Sequence, residues 1–359
     1  MKTLLIIGTG GTISGSAPVA TQTVGYREGA FSVAELLGGV PGIAELARIR
    51  SMQPFSIGSQ HMRSDNWLVL AKLVRDAQAD PEVDGIVITH GTDTMEESAF
   101  FLDLVTPRGK PVVMTGAMRP ATAVSADGPA NLLTACRFAV DDAAAGRGVL
   151  VAFNDAAFTA ASVAKVHTLR LDAFAARDTA PVGQLAGEAI RWREPVAAQA
   201  MRPQAFARIA LPDPPPERSA SPAPAVAPGV LPGLLPDVLP TVALILQHVD
   251  CDEAIVRWHQ ARGARGIVIA GSGNGMLPVP MRAALARASR SGCLVVRATR
   301  VPTGPVLRNG EAEPADRDDA LGFVASSSVA PLKARVLLQC CLLAGMGAAQ
   351  TQQQFDLFG

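Results

Sequence analysis

The stretch VDGIVITHGTDTMEESAFFLDL, residues 83–104, decides how the rest of the chain reads. It opens with a short apolar run, rich in β-branched residues and led in by Asp84 and Gly85. That is the composition of a strand buried on both faces of a parallel sheet. Further on, Met95, Ala99, Leu102 and Val105 recur at three- and four-residue spacing, which predicts a helix. Thr94, with Glu97 three residues later, predicts a capping box at its start. His90, Gly91, Thr92 and Asp93 then lie between the C-terminal end of a strand and the N-terminus of a helix. In open α/β sheets that crevice binds ligands. Thr92 and Asp93 are equally the residues that a plain turn and cap would use, so this stretch alone leaves both readings open.

The whole chain sets wider bounds. Its 359 residues leave room for two domains, and a hydrophobic fraction of 48% with 18% charged residues is that of an ordinary globular protein. Lys+Arg and Asp+Glu both number 32, so nothing favours electrostatic capture of nucleic acid or of an anionic membrane. Cys136, Cys251, Cys293, Cys340 and Cys341 form no CxxC and no metal-ligand spacing, so no metal or other cofactor is expected, and an odd set of thiols suits a reducing compartment. The first apolar run, 4–7, is shorter than a signal-peptide core and no stretch has membrane-spanning length, so the expected location is cytoplasmic.

Residues 4–7 read as the first strand and run into Gly8, Thr9, Gly10, Gly11, Thr12 and Ile13. A dinucleotide fingerprint fails because Ile13 stands where its last glycine belongs and no helical period follows; a phosphate loop fails for lack of Gly-Lys-Ser/Thr. What remains is a hydroxyl, Thr12, on a glycine turn at a strand end. Residues 14–30 form a long aperiodic loop carrying Tyr26, the only tyrosine. Ser32 with Glu35 predicts a capped short helix, and 44–48 a second. Residues 53–57 are expected to be a strand, ending in Gly58, Ser59, Gln60 and His61. An amphipathic helix over 65–79, a strand over 111–115, a helix over 131–145 and a strand over 148–153 follow. This alternation predicts a parallel sheet, whose strand ends would bring Thr12, Ser59, Thr92 and Asp93 together. Lys165, in SVAKVH, reads by itself as a solvated surface group.

Composition changes after residue 200. Eleven of the 27 prolines fall between Pro203 and Pro240, and no aromatic residue occurs from Ala207 to Arg257. This predicts an unpacked, semi-stiff linker over 201–240. A second strand–helix series follows, with strands over 241–247, 266–270 and 294–297 and helices over 253–262, 279–289 and 331–344. The expected fold is therefore α/β with two α/β domains: a larger one, 1–200, on a mostly parallel sheet, and a smaller one, 241–359, also with a parallel sheet.

Seven motifs in register resemble the bacterial-type L-asparaginase/glutaminase-asparaginase family: TGGTI (9–13), HGTDTMEE (90–97), GAMRP (116–120), SADGP (125–129), AGSGNG (270–275), RVPTG (300–304) and KARVLLQ (333–339). The resemblance spans nearly all of the chain outside the proline-rich stretch. It implies hydrolysis of the side-chain amide of Asn, sometimes Gln, with release of ammonia. It implies Thr12 as nucleophile, Tyr26 as the loop tyrosine that activates it, and Thr92, Asp93 and Lys165 as the second threonine, its acid and the lysine behind it. Ser59, Gln60 and Ala117 look like substrate binders. Asn274 resembles a residue lent to a neighbouring subunit's site, within a homotetramer of intimate dimers. The family's late acidic residue has three candidates here, Glu311, Glu313 and Asp316. The chemistry is consistent, since an alcohol needs a base to attack an amide at neutral pH and a Tyr–Thr or Lys–Thr pair can supply one. An ammonia-releasing subunit of a tRNA-dependent amidotransferase, or a non-catalytic amino-acid-binding protein, could use the same fold.

Overall fold

The structure, a computed structural model, describes residues 1–193, 206–213 and 239–358. Its first unit is built on strands β1 (Thr3–Gly8), β2 (Arg48–Met52), β3 (Gly85–Thr89), β4 (Val112–Thr115), β5 (Val149–Phe153) and β6 (Ala156–Thr159). After them come β7 (Val163–Lys165), β8 (Phe174–Ala176), β9 (Gly183–Ala186) and β10 (Ala189–Trp192). Eight of these make one sheet in the order β10-β9-β6-β5-β4-β3-β1-β2, while β7 and β8 form a separate hairpin. The run from β2 to β5 is parallel; β6, β9 and β10 extend it antiparallel. From β1 the chain pairs outward to β2 and then returns to the other side of β1 as β3. The C-terminal ends of β1 and β3 therefore flank the point where strand order reverses, which is where such sheets bind ligands.

Both faces of this sheet are covered, which explains its unbroken apolar strands. Leu5, Ile7, Ile86 and Ile88 pack with residues of the helices Ser64–Ala79 and Met95–Val105. Leu4, Ile6 and Val87, on the alternate face, pack with Leu132, Ala135 and Phe138 of the helix Gly128–Val140.

The second unit carries β11 (Val242–Leu246), β12 (Gly266–Gly271), β13 (Leu294–Thr299) and β14 (Phe323–Ala325), all parallel and paired in that order. Its helix Pro331–Leu343 lies against the helix Met95–Val105, and one apolar cluster runs through both units. All of Met95–Val105 except Glu97 is buried. Phe100 meets Phe358 edge-on, ring centroids 5.4 Å apart, and Glu97 pairs with Arg335 at 3.0 Å.

The predicted two α/β units are present, with several local corrections. The capping box at Thr94 does not form. Thr94 Oγ1 instead donates to the Ser59 carbonyl at 2.9 Å, and Glu97 turns to Arg335, so both groups take tertiary partners. The box at Ser32 and Glu35 does form. The second strand lies at Arg48–Met52 rather than over 53–57, because its register with β1 ends at Met52. Its sequence, RIRSM, is largely polar because it is the sheet's open edge, so it lacks the apolar run that marks a buried strand. The helix expected over 44–48 is Ile43–Leu46. Part of the expected linker, 201–205 and 214–238, lies outside the described residues. Among its described residues two are packed, Phe206 and Leu239, each 2% exposed in the shared core, and Arg75 Nη1 donates to the Ile209 carbonyl at 3.2 Å.

Candidate active site

Three loops meet at the β1–β3 crevice, and glycines let them. Gly11 has φ 80 and ψ −173, a backbone state almost exclusive to glycine. A Cβ there would lie 2.4 Å from Gly91 Cα, and a Cβ on Gly91 would lie 2.7 Å from Ser59 Oγ. The Thr12 and Thr92 loops thus meet backbone to backbone, and the Ser59 side chain packs against Gly91.

Thr12 opens a short 3-10 turn and is 5% exposed. Its Oγ1 lies 2.6 Å from Tyr26 Oη. The loop bearing Tyr26 is not loose: Ser16 and Arg27 exchange backbone hydrogen bonds of 2.8 and 2.9 Å, which folds it back over Thr12. Burial raises the Tyr26 pKa above its ordinary 10.0, opposed by the Thr12 hydrogen bond and reinforced by the charges of Glu28, Asp93 and Asp127. Tyr26 is therefore a phenol at neutral pH, able to take the Thr12 proton only as it passes its own on.

Thr92 and Asp93 face the same crevice from β3. Lys165 Nζ donates to Thr92 Oγ1 at 2.8 Å and to Asp93 Oδ1 at 2.6 Å. Its side chain is 16% exposed, so the surface reading of this lysine is overturned. A short hairpin, β7 with β8, carries it across to the β3 loop. With Lys165 donating to its oxygen, Thr92 directs its own hydroxyl hydrogen elsewhere. Ser59 Oγ accepts the Asp93 backbone N–H at 3.0 Å.

The remaining sequence candidates divide. Ser59 is buried beside Asp93, and Ala117 is fully buried in the turn after β4. The preceding residue, Gly116, has no room for a side chain, since a Cβ would lie 2.4 Å from the His90 carbonyl oxygen and 3.4 Å from Thr92 Cγ2. Gln60 is exposed and donates to Glu28 at 2.8 Å. Glu28 was not singled out from the sequence; its signal was an acid two residues beyond Tyr26. Within this chain the Asn274 amide is engaged in its own unit, donating to the Pro305 carbonyl at 3.2 Å and accepting the Leu307 N–H at 3.1 Å. Of the three acidic candidates, Glu311 and Asp316 both pair with Arg282, at 3.3 and 2.8 Å, and Glu313 is exposed. His90 is fully buried, its Nδ1 2.6 Å from the Gly91 carbonyl oxygen, and burial pushes its pKa down to about 4, so it is a neutral imidazole.

Fold and site together define a two-unit α/β protein whose crevice pairs Thr12 with Tyr26 and Thr92 with Lys165. The family descriptions that match are Asparaginase, N-terminal, over residues 3–198, and Glutaminase/Asparaginase C-terminal domain, over residues 241–355. L-asparaginase 2 of Escherichia coli is 37% identical over 358 residues, covering 100% of this chain and 94% of that protein. A probable periplasmic L-asparaginase of Haemophilus influenzae is also 37% identical, covering 100% of this chain and 93% of its own. A solved structure of a probable cytoplasmic L-asparaginase from Campylobacter jejuni superposes with TM-score 0.85 at 34% identity, over 99% of each chain. The chain belongs to the asparaginase family.

Proposed function

We propose that this protein is an L-asparaginase, hydrolysing the side-chain amide of L-asparagine to L-aspartate and ammonia through a Thr12 acyl-enzyme. The observation that carries the reading is the pairing of two activated hydroxyls across one crevice, Thr12 with Tyr26 at 2.6 Å and Thr92 with Lys165 at 2.8 Å. Thr12 Oγ1 attacks the amide carbon while its proton passes through the Tyr26 hydroxyl to solvent water. The C–N bond breaks as the nitrogen takes a proton from Thr92, which Lys165 replenishes before regaining its own from solvent, and ammonia leaves. Water then cleaves the ester and returns the proton to Thr12. Ser59 and Gln60 receive the substrate's α-carboxylate and α-amino group, Asp93 pairs with the ammonium, and Ala117 lines the amide end.

We also assign the site to an oligomer, a homotetramer of intimate dimers in which Asn274 of one subunit completes the site of another. An isologous pair would make two equal composite sites. Co-expressed Thr12→Ala and Asn274→Ala chains should then recover about a quarter of parental activity, and verified hetero-oligomers without recovery would refute sharing. Five free thiols favour a cytoplasmic location.

The deciding experiment is a coupled ammonia-release assay with L-Asn, L-Gln and D-Asn, on the parent and on Thr12→Ala. L-Asn should be turned over best. Retention by Thr12→Ala of more than a few per cent of parental kcat would remove Thr12 as nucleophile, and no ammonia from any substrate would leave a binding protein.

A further inference from the structure

Behind Lys165 lies a buried set of charges that the chemistry above does not use. Among the described residues the strand carrying Lys165, β7, pairs with one neighbour, β8. In that hairpin Ser162 and Val166 make the cross-strand bonds: Arg177 N donates to the Ser162 carbonyl at 2.7 Å and Val166 N to the Ala173 carbonyl at 2.8 Å. By the alternation of an antiparallel pair, Val163 and Lys165 point their backbone groups the other way. A buried strand edge with no third strand has to satisfy those groups somehow. A charged side chain does so for the carbonyls: the Lys333 ammonium donates to that of Ala161 at 3.1 Å and to that of Val163. The buried Glu96 carboxyl lies beside it and beside the Lys165 backbone N–H.

The origins of the two groups matter. Glu96 lies four residues after Thr92, in the first turn of Met95–Val105, so it ties the Lys165 strand to the element that follows Thr92 and Asp93. Lys333 comes from the helix Pro331–Leu343 of the second unit and is only 2% exposed. Burial pushes its pKa down to about 8, against the attraction of Glu96, and Arg177 faces both groups. Burying a lysine is costly unless its hydrogen bonds are filled, and Lys333 fills them on the strand that presents Lys165.

We propose that Glu96 and Lys333 are positioning residues for the reaction, a charged clamp that fixes the Lys165 strand so that Nζ reaches Thr92 and Asp93. Neither touches the substrate. The second unit thereby acts on the first unit's chemistry within the same chain. The inference rests on Lys165 being part of the catalytic set.

The test uses the full-length chain in the ammonia-release assay. Glu96→Leu and Lys333→Met should each lower kcat by about tenfold or more, since displacement of about an ångström costs on the order of a hundredfold. KM should change by less than kcat, because Ser59 and Gln60 lie on another loop and Asp93 is the one binding group that Lys165 holds. Glu96→Gln keeps a polar group of the same shape beside the Lys165 N–H and should retain most of the activity. Acting through Lys165, Lys333→Met should cost little further when added to Lys165→Met, measured on residual turnover. If Lys333→Met does not fold, the Glu96→Gln and Glu96→Leu pair decides. Parental kcat in both Glu96→Leu and Lys333→Met, with Lys165→Met inactive, overturns the clamp alone, as does equal loss in Glu96→Gln and Glu96→Leu. An active Lys165→Met would remove the catalytic assignment itself.

Discussion

Replacing Gly11 by alanine tests whether the meeting of the two threonine loops depends on missing side chains. At φ 80 and ψ −173 an alanine is strained by about 1–3 kcal/mol. Its Cβ would also stand 2.4 Å from Gly91 Cα and 2.5 Å from Gly91 N. Both are backbone atoms, so no rotamer change relieves the collision, and the loops must part at a further cost of about 1–3 kcal/mol. The expected loss of stability is roughly 2–6 kcal/mol. Restoring ordinary contact moves Thr12 from Thr92 by about 1 Å, enough for about a hundredfold loss of kcat. Gly42→Ala is the control: its φ is also 80, but nothing lies within 4 Å of its Cβ position. It should cost only about 1–2 kcal/mol and leave turnover unchanged. Urea unfolding with m-values and ammonia release measure the two effects. A Gly11→Ala protein as stable as Gly42→Ala, with kcat within twofold of the parent, would refute the reasoning.

Tyr26→Phe removes the hydroxyl 2.6 Å from Thr12 while leaving the ring, so kcat should fall by about 10²–10⁴-fold with the melting temperature unchanged; a fall under threefold removes Tyr26 from the proton path. His90 has a folded pKa of about 4 against an ordinary 6.5, so the stability it contributes is complete above pH 6.5 and is lost as the pH falls toward 4. Urea unfolding should show the advantage of the parent over His90→Gln shrinking by about 3 kcal/mol across that interval, and parallel curves would mean that His90 titrates normally. Phe206→Ala should destabilise by about 3–5 kcal/mol without changing kcat, because the ring is 2% exposed in the shared core and remote in sequence from the site motifs; a loss under 1 kcal/mol would show that this segment is not docked.

The strands that present the site were legible because they are buried on both faces. Ile86, Val87 and Ile88 can be nothing but core, and the polar residues after them stand out against that run. β2 was misplaced for the opposite reason, since an edge strand alternates with solvent and RIRSM carries no apolar run. The hairpin β7–β8 is three residues to a strand, too short for a period to show, so Lys165 looked like a surface residue until the fold brought it to Thr92. Thr94 misled because capping chemistry is local, whereas its hydroxyl is spent on Ser59 from another loop. Lys333 sat inside a recognised motif, but its role depends on a register between β7 and β8 that no local pattern encodes.

The contact between Phe100 and Phe358 has a consequence for how the protein is made. The helix Met95–Val105 is the central helix of the first unit, yet part of its covering comes from the helix Pro331–Leu343 and from Phe358, roughly 230–260 residues further along. At about 5–20 residues per second the ribosome needs on the order of 10–50 s to supply that covering. For this interval the nascent first unit shows water an apolar face centred on Phe100. That makes it a natural client for a holdase and the point at which overproduction would first lead to aggregation. Slower translation would lengthen the exposure rather than help folding, because the missing surface is supplied by chain not yet synthesised.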